Sequence, residues 1–137
     1  VVQKLATGFG IDITELFASN SGQDAAGRRS VTMDGAGRLM ETEVYRHRLI
    51  AAELKNKKIL PSVTTIKARS LEDFKRWSQH SGEEFLYVLE GEICFQTEHY
   101  EPAILGVGDS IYINSSMQHA AYSTSEEDAV VLWVNTG

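Results

Sequence analysis

His80, Glu84 and His119 have side chains of types that commonly bind divalent metals, and their positions could bring them together. His80 and Glu84 are four positions apart, and residues four apart share one face of a regular β-strand. His119 lies in a different predicted strand and would meet this pair inside a closed barrel. Two imidazoles and one carboxylate suit one divalent transition metal, such as zinc, iron, manganese or nickel. A hydrogen-bonded polar cluster without metal satisfies the same groups, and the sequence leaves both interpretations open.

The elements that must position these residues are predicted from the spacing of apolar side chains. From residue 31 onward, β-branched and aromatic residues recur with a period of two, which predicts strands rather than helices. A short helix or turn is predicted over 71–77. Many short strands separated by turns predict an all-β sandwich or barrel. The predicted strands cover 31–34, 37–40, 43–53, 61–69, 84–90, 92–98, 109–113, 118–124 and 129–135.

The first 30 residues follow a different pattern. Residues 1–18 have the apolar spacing of two short helices, and Asp12 with Glu15 forms a capping-box pattern. Helices this small need neighbours, and the chain begins with Val1, so we expect a fragment cut within an N-terminal domain. Residues 19–30 are small and polar, which predicts a linker. The predicted organisation is a helical remnant, a linker and a barrel domain over 31–137.

Composition narrows the class of protein. The net charge is −6, whereas a self-sufficient nucleic-acid-binding domain usually carries a basic face. The sequence has no apolar run long enough for a membrane span and no secretory signal pattern. A single cysteine, Cys94, cannot form an internal disulfide and suits the reducing cytoplasm. These features predict a cytoplasmic globular domain that does not bind DNA by itself.

Two segments resemble the motifs of the cupin superfamily. Segment 80–91 has the histidine, glutamate and glycine of the first motif, and segment 108–119 has the glycine, aspartate and histidine of the second. The resemblance implies a double-stranded β-helix, or jelly-roll barrel, whose metal ligands would be His80, Glu84 and His119. The matching residues are His80, Glu84, Gly91, Gly108, Asp109 and His119.

The sequence also departs from these motifs. The first histidine of the family falls at Ser78, which leaves three protein ligands instead of four. Further departures fall at Asn114, Ser116 and Ser123. The resemblance implies a ligand pocket next to the metal, and the residues expected to line it are Ser78, Leu86, Met117 and Ala121.

The stretch from Lys4 to Phe17 is similar to the closing helices of Xre-type helix-turn-helix domains. Followed by a polar linker and cupin motifs, it resembles the family of helix-turn-helix regulators with a C-terminal cupin domain. That resemblance implies an effector-sensing and dimerisation domain of a bacterial transcriptional regulator, and not an enzyme. DNA would be bound by the missing helix-turn-helix part, and a small-molecule effector would enter the barrel.

Two alternatives remain at this point. The first is a metal-dependent cupin enzyme, an oxygenase, isomerase or hydrolase, in which the same three residues hold the catalytic ion. The second is a purely structural dimerisation module. The strand 84–90 is apolar on both faces apart from its ends, and so is the run 129–134, so either the N-terminal strands or a second subunit must cover the outer face. A dimer would also suit a regulator that reads a two-fold operator, and we predict a homodimer through a sheet face. His47 is predicted to lie at the surface or in an interface.

Overall fold

A computed structural model of the protein describes residues 27–137. The helices predicted over 1–18 and most of the predicted linker lie outside the described residues. Within the described part no helix is long and apolar enough to cross a membrane. Regular structure there is almost entirely β, with one short 3₁₀ turn at Leu71–Asp73 where a short helix or turn was predicted. The strands are β1 (Arg38–Glu41), β2 (Tyr45–Leu49), β3 (Leu60–Ile66), β4 (Glu83–Glu90), β5 (Glu92–Thr97), β6 (Ala103–Gly106), β7 (Ser110–Asn114), β8 (His119–Ser123) and β9 (Ala129–Asn135).

These strands form two antiparallel sheets. The larger sheet has the order β1-β2-β3-β9-β4-β7, and the smaller has the order β6-β5-β8. Their inner faces share one apolar core, in which Trp133 of the larger sheet packs against Phe95 of the smaller, with ring centroids 6.3 Å apart. The predicted all-β jelly-roll barrel is confirmed.

Strand alternation explains which side chains enter the core. In β9 buried residues alternate with half-buried ones from Ala129 to Asn135, and β3 shows the same period. Val131 and Trp133 therefore face the barrel interior, whereas Leu132 and Val134 face outward. Strand β9 is apolar on both faces from Ala129 to Val134, as the sequence indicates.

The predicted strands differ from the observed ones in three places, for identifiable reasons. Residues 31–34 pair with no strand: Val31 and Met33 are exposed, and the amide of Ala36 donates to the Met33 carbonyl in a turn. Strand β6 was not predicted, because its four residues show no alternation of their own and pairing with β5 imposes the extended conformation. The predicted strand 43–53 ends at Leu49, and Ala51 has a φ of 57°.

Candidate metal centre

The side chains of His80, Glu84 and His119 meet inside the barrel. Nε2 of His80 lies 2.7 Å from Oε2 of Glu84, and Nε2 of His119 lies 2.7 Å from the same oxygen. All three potential ligand atoms lie within 4.8 Å of one another. Glu84 and His119 are buried, and His80 is half-buried at the edge of the cluster.

Different elements position the three side chains. Glu84 is the second residue of β4, and it faces inward opposite Ile113 of β7 and Asn135 of β9. His119 begins β8, beside the inward-facing ring of Phe95, which stacks on its imidazole at 6.2 Å. The third ligand candidate, His80, lies in the loop before β4.

His80 and Glu84 are joined by a turn and not by the regular strand that was predicted. The two residues were expected to share a face of one regular strand, but β4 begins only at Glu83. Gly82 instead adopts a φ of +100°, and a Cβ atom there would lie 2.1 Å from the carbonyl oxygen of Thr136. The amide of His80 donates to the carbonyl of Ser115 at 3.0 Å, which holds the loop against the end of β7. A glycine turn therefore brings the imidazole back to the carboxylate.

Backbone carbonyls fix the orientation of both imidazoles. Nδ1 of His80 lies 2.8 Å from the carbonyl oxygen of Ser81, and Nδ1 of His119 lies 2.7 Å from that of Met117. A carbonyl oxygen only accepts hydrogen bonds, so each Nδ1 carries a proton. Nε2 of each ring therefore faces Oε2 of Glu84: with a proton it donates a hydrogen bond to that oxygen, and without one it offers the electron pair that metal coordination requires. A metal ion bound between these atoms would take the place of both protons.

The indole of Trp133 holds the remaining carboxylate oxygen. Its Nε1 donates a 2.8 Å hydrogen bond to Oε1 of Glu84, which leaves Oε2 to the two histidines. The indole is itself held edge-on against Tyr45, with ring centroids 5.2 Å apart. The role of Trp133 was not predicted from the sequence. It could have been suspected from a tryptophan at an inward-facing strand position, because a buried indole N–H needs a hydrogen-bond acceptor.

The electrostatics of the cluster keep Glu84 ionised. Burial acts to raise the pKa of Glu84, but the hydrogen bonds and charges of His119 and His80 outweigh burial and hold the pKa well below its usual range. The residue is therefore a carboxylate at neutral pH, which is the form that binds metals.

The geometry fits a single divalent ion. Ligand atoms about 2.1 Å from one ion and about 90° apart lie about 3.0 Å from each other. The observed separation of 2.7 Å between each imidazole nitrogen and the carboxylate oxygen needs only a few tenths of an ångström of opening. Two histidines and one carboxylate grouped on one side leave other coordination positions for water or substrate.

The four predicted pocket residues differ in how deeply they are buried. Leu86 and Ala121 are buried and face the interior, and Met117 packs partly buried against the core. Ser78 is exposed, and it meets His119 through two backbone hydrogen bonds of 2.9 Å. The position of the fourth family ligand thus carries a short hydroxyl side chain.

A second polar group lies deeper in the barrel. His47 is buried, so the prediction that it lies at the surface is wrong; inward alternation on β2 places it opposite Thr64. Nδ1 of His47 lies 2.8 Å from Oγ1 of Thr64, which lies 2.9 Å from Oγ of Ser62. Burial lowers the pKa of His47 to about 4, so the ring is neutral at physiological pH.

Comparison with known proteins agrees with this fold. Residues 72–135, which include all three candidate ligands, match the family described as Cupin domain. Together with the two-sheet barrel, this match supports a cupin domain over residues 72–135, and the three candidate metal ligands lie within that range. No curated protein matches the sequence.

Several solved structures are similar over 83% of the chain. The iron(II) form of HppE shares 24% identity with a TM-score of 0.69, and 63% of that chain is covered. Hydroxypropylphosphonic acid epoxidase from S. wedmorenis shares 25% identity with a TM-score of 0.69 and 62% coverage. Cobalt(II) HppE in complex with substrate shares 26% identity with a TM-score of 0.64 and 61% coverage. The present chain thus spans about three-fifths of the length of these structures.

These neighbours correct the functional prediction. The prediction from the sequence that the chain is not an enzyme is contradicted, because the similar structures are those of a metal-dependent epoxidase. The cupin resemblance and the choice of a divalent transition metal are confirmed. Nothing in the comparisons supports a helix-turn-helix regulator.

Proposed function

We propose that this cupin domain belongs to a metal-dependent enzyme that oxidises a small organic molecule at an ion held by His80, Glu84 and His119. The observation that carries the proposal is the convergence of two Nε2 atoms and one carboxylate oxygen with coordination positions left open. A two-histidine, one-carboxylate set of this kind is typical of non-haem iron(II) oxygenases. The iron(II) and cobalt(II) forms of the neighbouring epoxidase support the same choice of metal.

The protein's own groups would prepare the site for that chemistry. Bound iron(II) would supply Lewis acidity and one-electron chemistry with dioxygen. The carbonyls of Ser81 and Met117 hold the imidazoles in the tautomer that binds the ion, and Trp133 fixes the rotation of the carboxylate. Because these groups are already positioned, little reorganisation is needed when the metal binds.

The side chains inside the barrel favour a small substrate that carries a neutral polar group. One wall carries the chain of hydroxyl and imidazole groups formed by His47, Thr64 and Ser62, and the opposite sheet presents Phe95. The neighbour's name assigns it a phosphonic acid substrate. Among residues 27–137 no lysine or arginine is buried. The described barrel therefore offers no buried cation for a phosphonate.

The experiment is anaerobic loading with iron(II), followed by dioxygen uptake measured against a panel of small neutral alcohols, with hydroxy acids and hydroxyphosphonates for comparison. We expect uptake that requires iron and one class of substrate, and that is lost in Glu84→Gln. Glu83→Gln is the matched control, because Glu83 is the adjacent carboxylate and faces outward. Equal activity of the two variants, or metal binding without dioxygen uptake for any substrate, would count against the proposal.

A further inference from the structure

The outer face of the six-stranded sheet is apolar although the barrel does not require it. The inner face of the sheet already forms the core, yet β9 and β4 also carry large apolar side chains on the outside. Tyr87 is 39% exposed and Tyr112 is 62% exposed. An apolar face of several strands, rimmed by charges, is a feature of interaction surfaces. The outward-facing apolar residues are Pro61, Val63, Phe85, Tyr87, Tyr112, Val130, Leu132 and Val134.

Charges of opposite sign border this face on its two sides. Strand β2 presents Arg46 and Arg48 outward, and β4 presents Glu83 and Glu90 outward. The register places these charges in rows across the sheet. One row begins at Glu41 of β1, which forms a 3.3 Å ion pair with Arg46, and continues from Arg46 through Thr65 and Val130 to Glu90.

A second row runs parallel to the first. It begins at Arg48, continues through Val63 and Leu132, and ends at Tyr87. Each row therefore has a cationic side chain on β2 and an anion or aromatic ring on β4. The guanidinium of Arg48 also donates a 2.7 Å hydrogen bond to the carbonyl of Gly35 in its own chain. Strands β2 and β4 flank the central pair β3 and β9 symmetrically in the strand order.

We propose that a second copy of this chain packs on this face across a two-fold axis that runs parallel to the strands, between β3 and β9. Such an axis lays β3 of one subunit over β9 of the other, and β2 over β4. Arg46 then lies opposite the partner's Glu90, and Arg48 lies opposite the ring of the partner's Tyr87, a cation–π arrangement. Val63 meets the partner's Leu132 at the centre, and the interface is isologous, as in most dimers.

The charge pattern selects this axis over the other face-to-face arrangement. A two-fold axis running across the strands would stack β2 on β2 and bring the arginines of the two subunits together. It would equally bring Glu83 and Glu90 of β4 against their own copies. Like charges brought together at an interface disfavour association, whereas the parallel axis pairs opposite charges. Aligned sheets in such a packing lie about 10 Å apart, which suits the apolar side chains between them.

Light scattering coupled to size exclusion, with sedimentation for the dissociation constant, tests the face itself. We expect the wild-type protein to be a dimer at micromolar concentration and Leu132→Glu to be a monomer. Ile104→Glu is the control: Ile104 is 57% exposed on the smaller sheet, so this variant should stay dimeric. A monomeric wild-type protein, or a Leu132→Glu variant that dimerises as tightly as wild type, overturns the proposal.

A charge exchange tests the axis. Arg46→Glu and Glu90→Arg should each weaken the dimer by about tenfold or more, because each places like charges opposite one another. The double variant, carrying both changes on one chain, should restore most of the affinity. Arg46 also forms a 3.3 Å ion pair with Glu41 of its own chain, so thermal unfolding must show that each variant folds. Folded single variants that weaken the dimer, with no recovery in the double variant, would overturn the assigned axis.

Discussion

The indole N–H of Trp133 donates a 2.8 Å hydrogen bond to Oε1 of Glu84, while Oε2 of the same carboxylate contacts both histidines. The carboxylate is thus shared between a fixed donor in β9 and a pair of imidazoles. This contact links the packing of the barrel core to the orientation of the candidate ligand.

Replacing that donor should weaken metal binding without removing a ligand. We expect Trp133→Phe to lower metal affinity about tenfold to a hundredfold, the usual effect of losing a partner that orients a ligand. Tyr112→Phe is the matched control, since its hydroxyl donates to the neighbouring Glu83 on the outer face. Calorimetric titration with zinc(II) measures both. Equal affinities for Trp133→Phe and wild type would show that the hydrogen bond has no such role.

Removing an imidazole should abolish the site. His119→Asn keeps a polar side chain but places no nitrogen where Nε2 lies, so we expect no metal uptake and a largely intact fold. His99→Asn makes the same chemical change at an exposed residue with a φ of 71°, a conformation that asparagine tolerates. Elemental analysis and circular dichroism check metal content and fold. Stoichiometric metal in folded His119→Asn would remove this residue from the ligand set.

The sequence predicted the fold and the identity of the three clustered residues because both depend on local patterns. Period-two apolar residues define β3, β4 and β9, and the motif spacing identifies His80, Glu84 and His119. The contact between His80 and Glu84 could not be predicted from spacing alone. This contact depends on the positive φ of Gly82 and on the carbonyl of Thr136, which lies more than 50 residues away in the sequence.

The interior role of His47 and the contribution of Trp133 were missed for a related reason. Both lie on strands whose registers decide which face is buried, and a one-residue change of register reverses that choice. The prediction that the chain is not an enzyme was wrong because sequence similar to a regulator's helices was taken to exclude one. The neighbouring enzyme structures are themselves longer than this chain, so sequence outside the barrel does not by itself exclude an enzyme.

The glycine turn offers a test of how the loop positions His80. We expect Gly82→Ala to lower the free energy of unfolding by about 2 kcal/mol or more, and to weaken metal binding, because the new Cβ would overlap Thr136. Gly35→Ala is the control: its φ is also positive, at +81°, but nothing lies within 4 Å of the added Cβ. It should cost only about 1 kcal/mol. Similar losses in urea unfolding for both variants would contradict the assigned contact.

Burial of His47 predicts how stability depends on pH. The pKa of His47 falls from 6.5 to about 4 on folding, so between these values the unfolded chain binds a proton that the folded protein does not. The free energy of unfolding should therefore be highest above pH 6.5 and fall as the pH drops toward 4. At about 1.4 kcal/mol per unit, the loss is roughly 3 kcal/mol. His47→Gln, compared by urea unfolding in chelator, should show a shallower pH dependence. Parallel curves for the two proteins would contradict this account.

The ligand set itself is tested most directly by X-ray absorption at the iron edge of the protein loaded anaerobically with iron(II). With His80, Glu84 and His119 as ligands, we expect one iron per chain, nitrogen and oxygen neighbours at about 2.0–2.2 Å, and the multiple scattering of two imidazoles. A spectrum without imidazole scattering, or iron that passes through gel filtration unbound, would contradict the proposed metal centre.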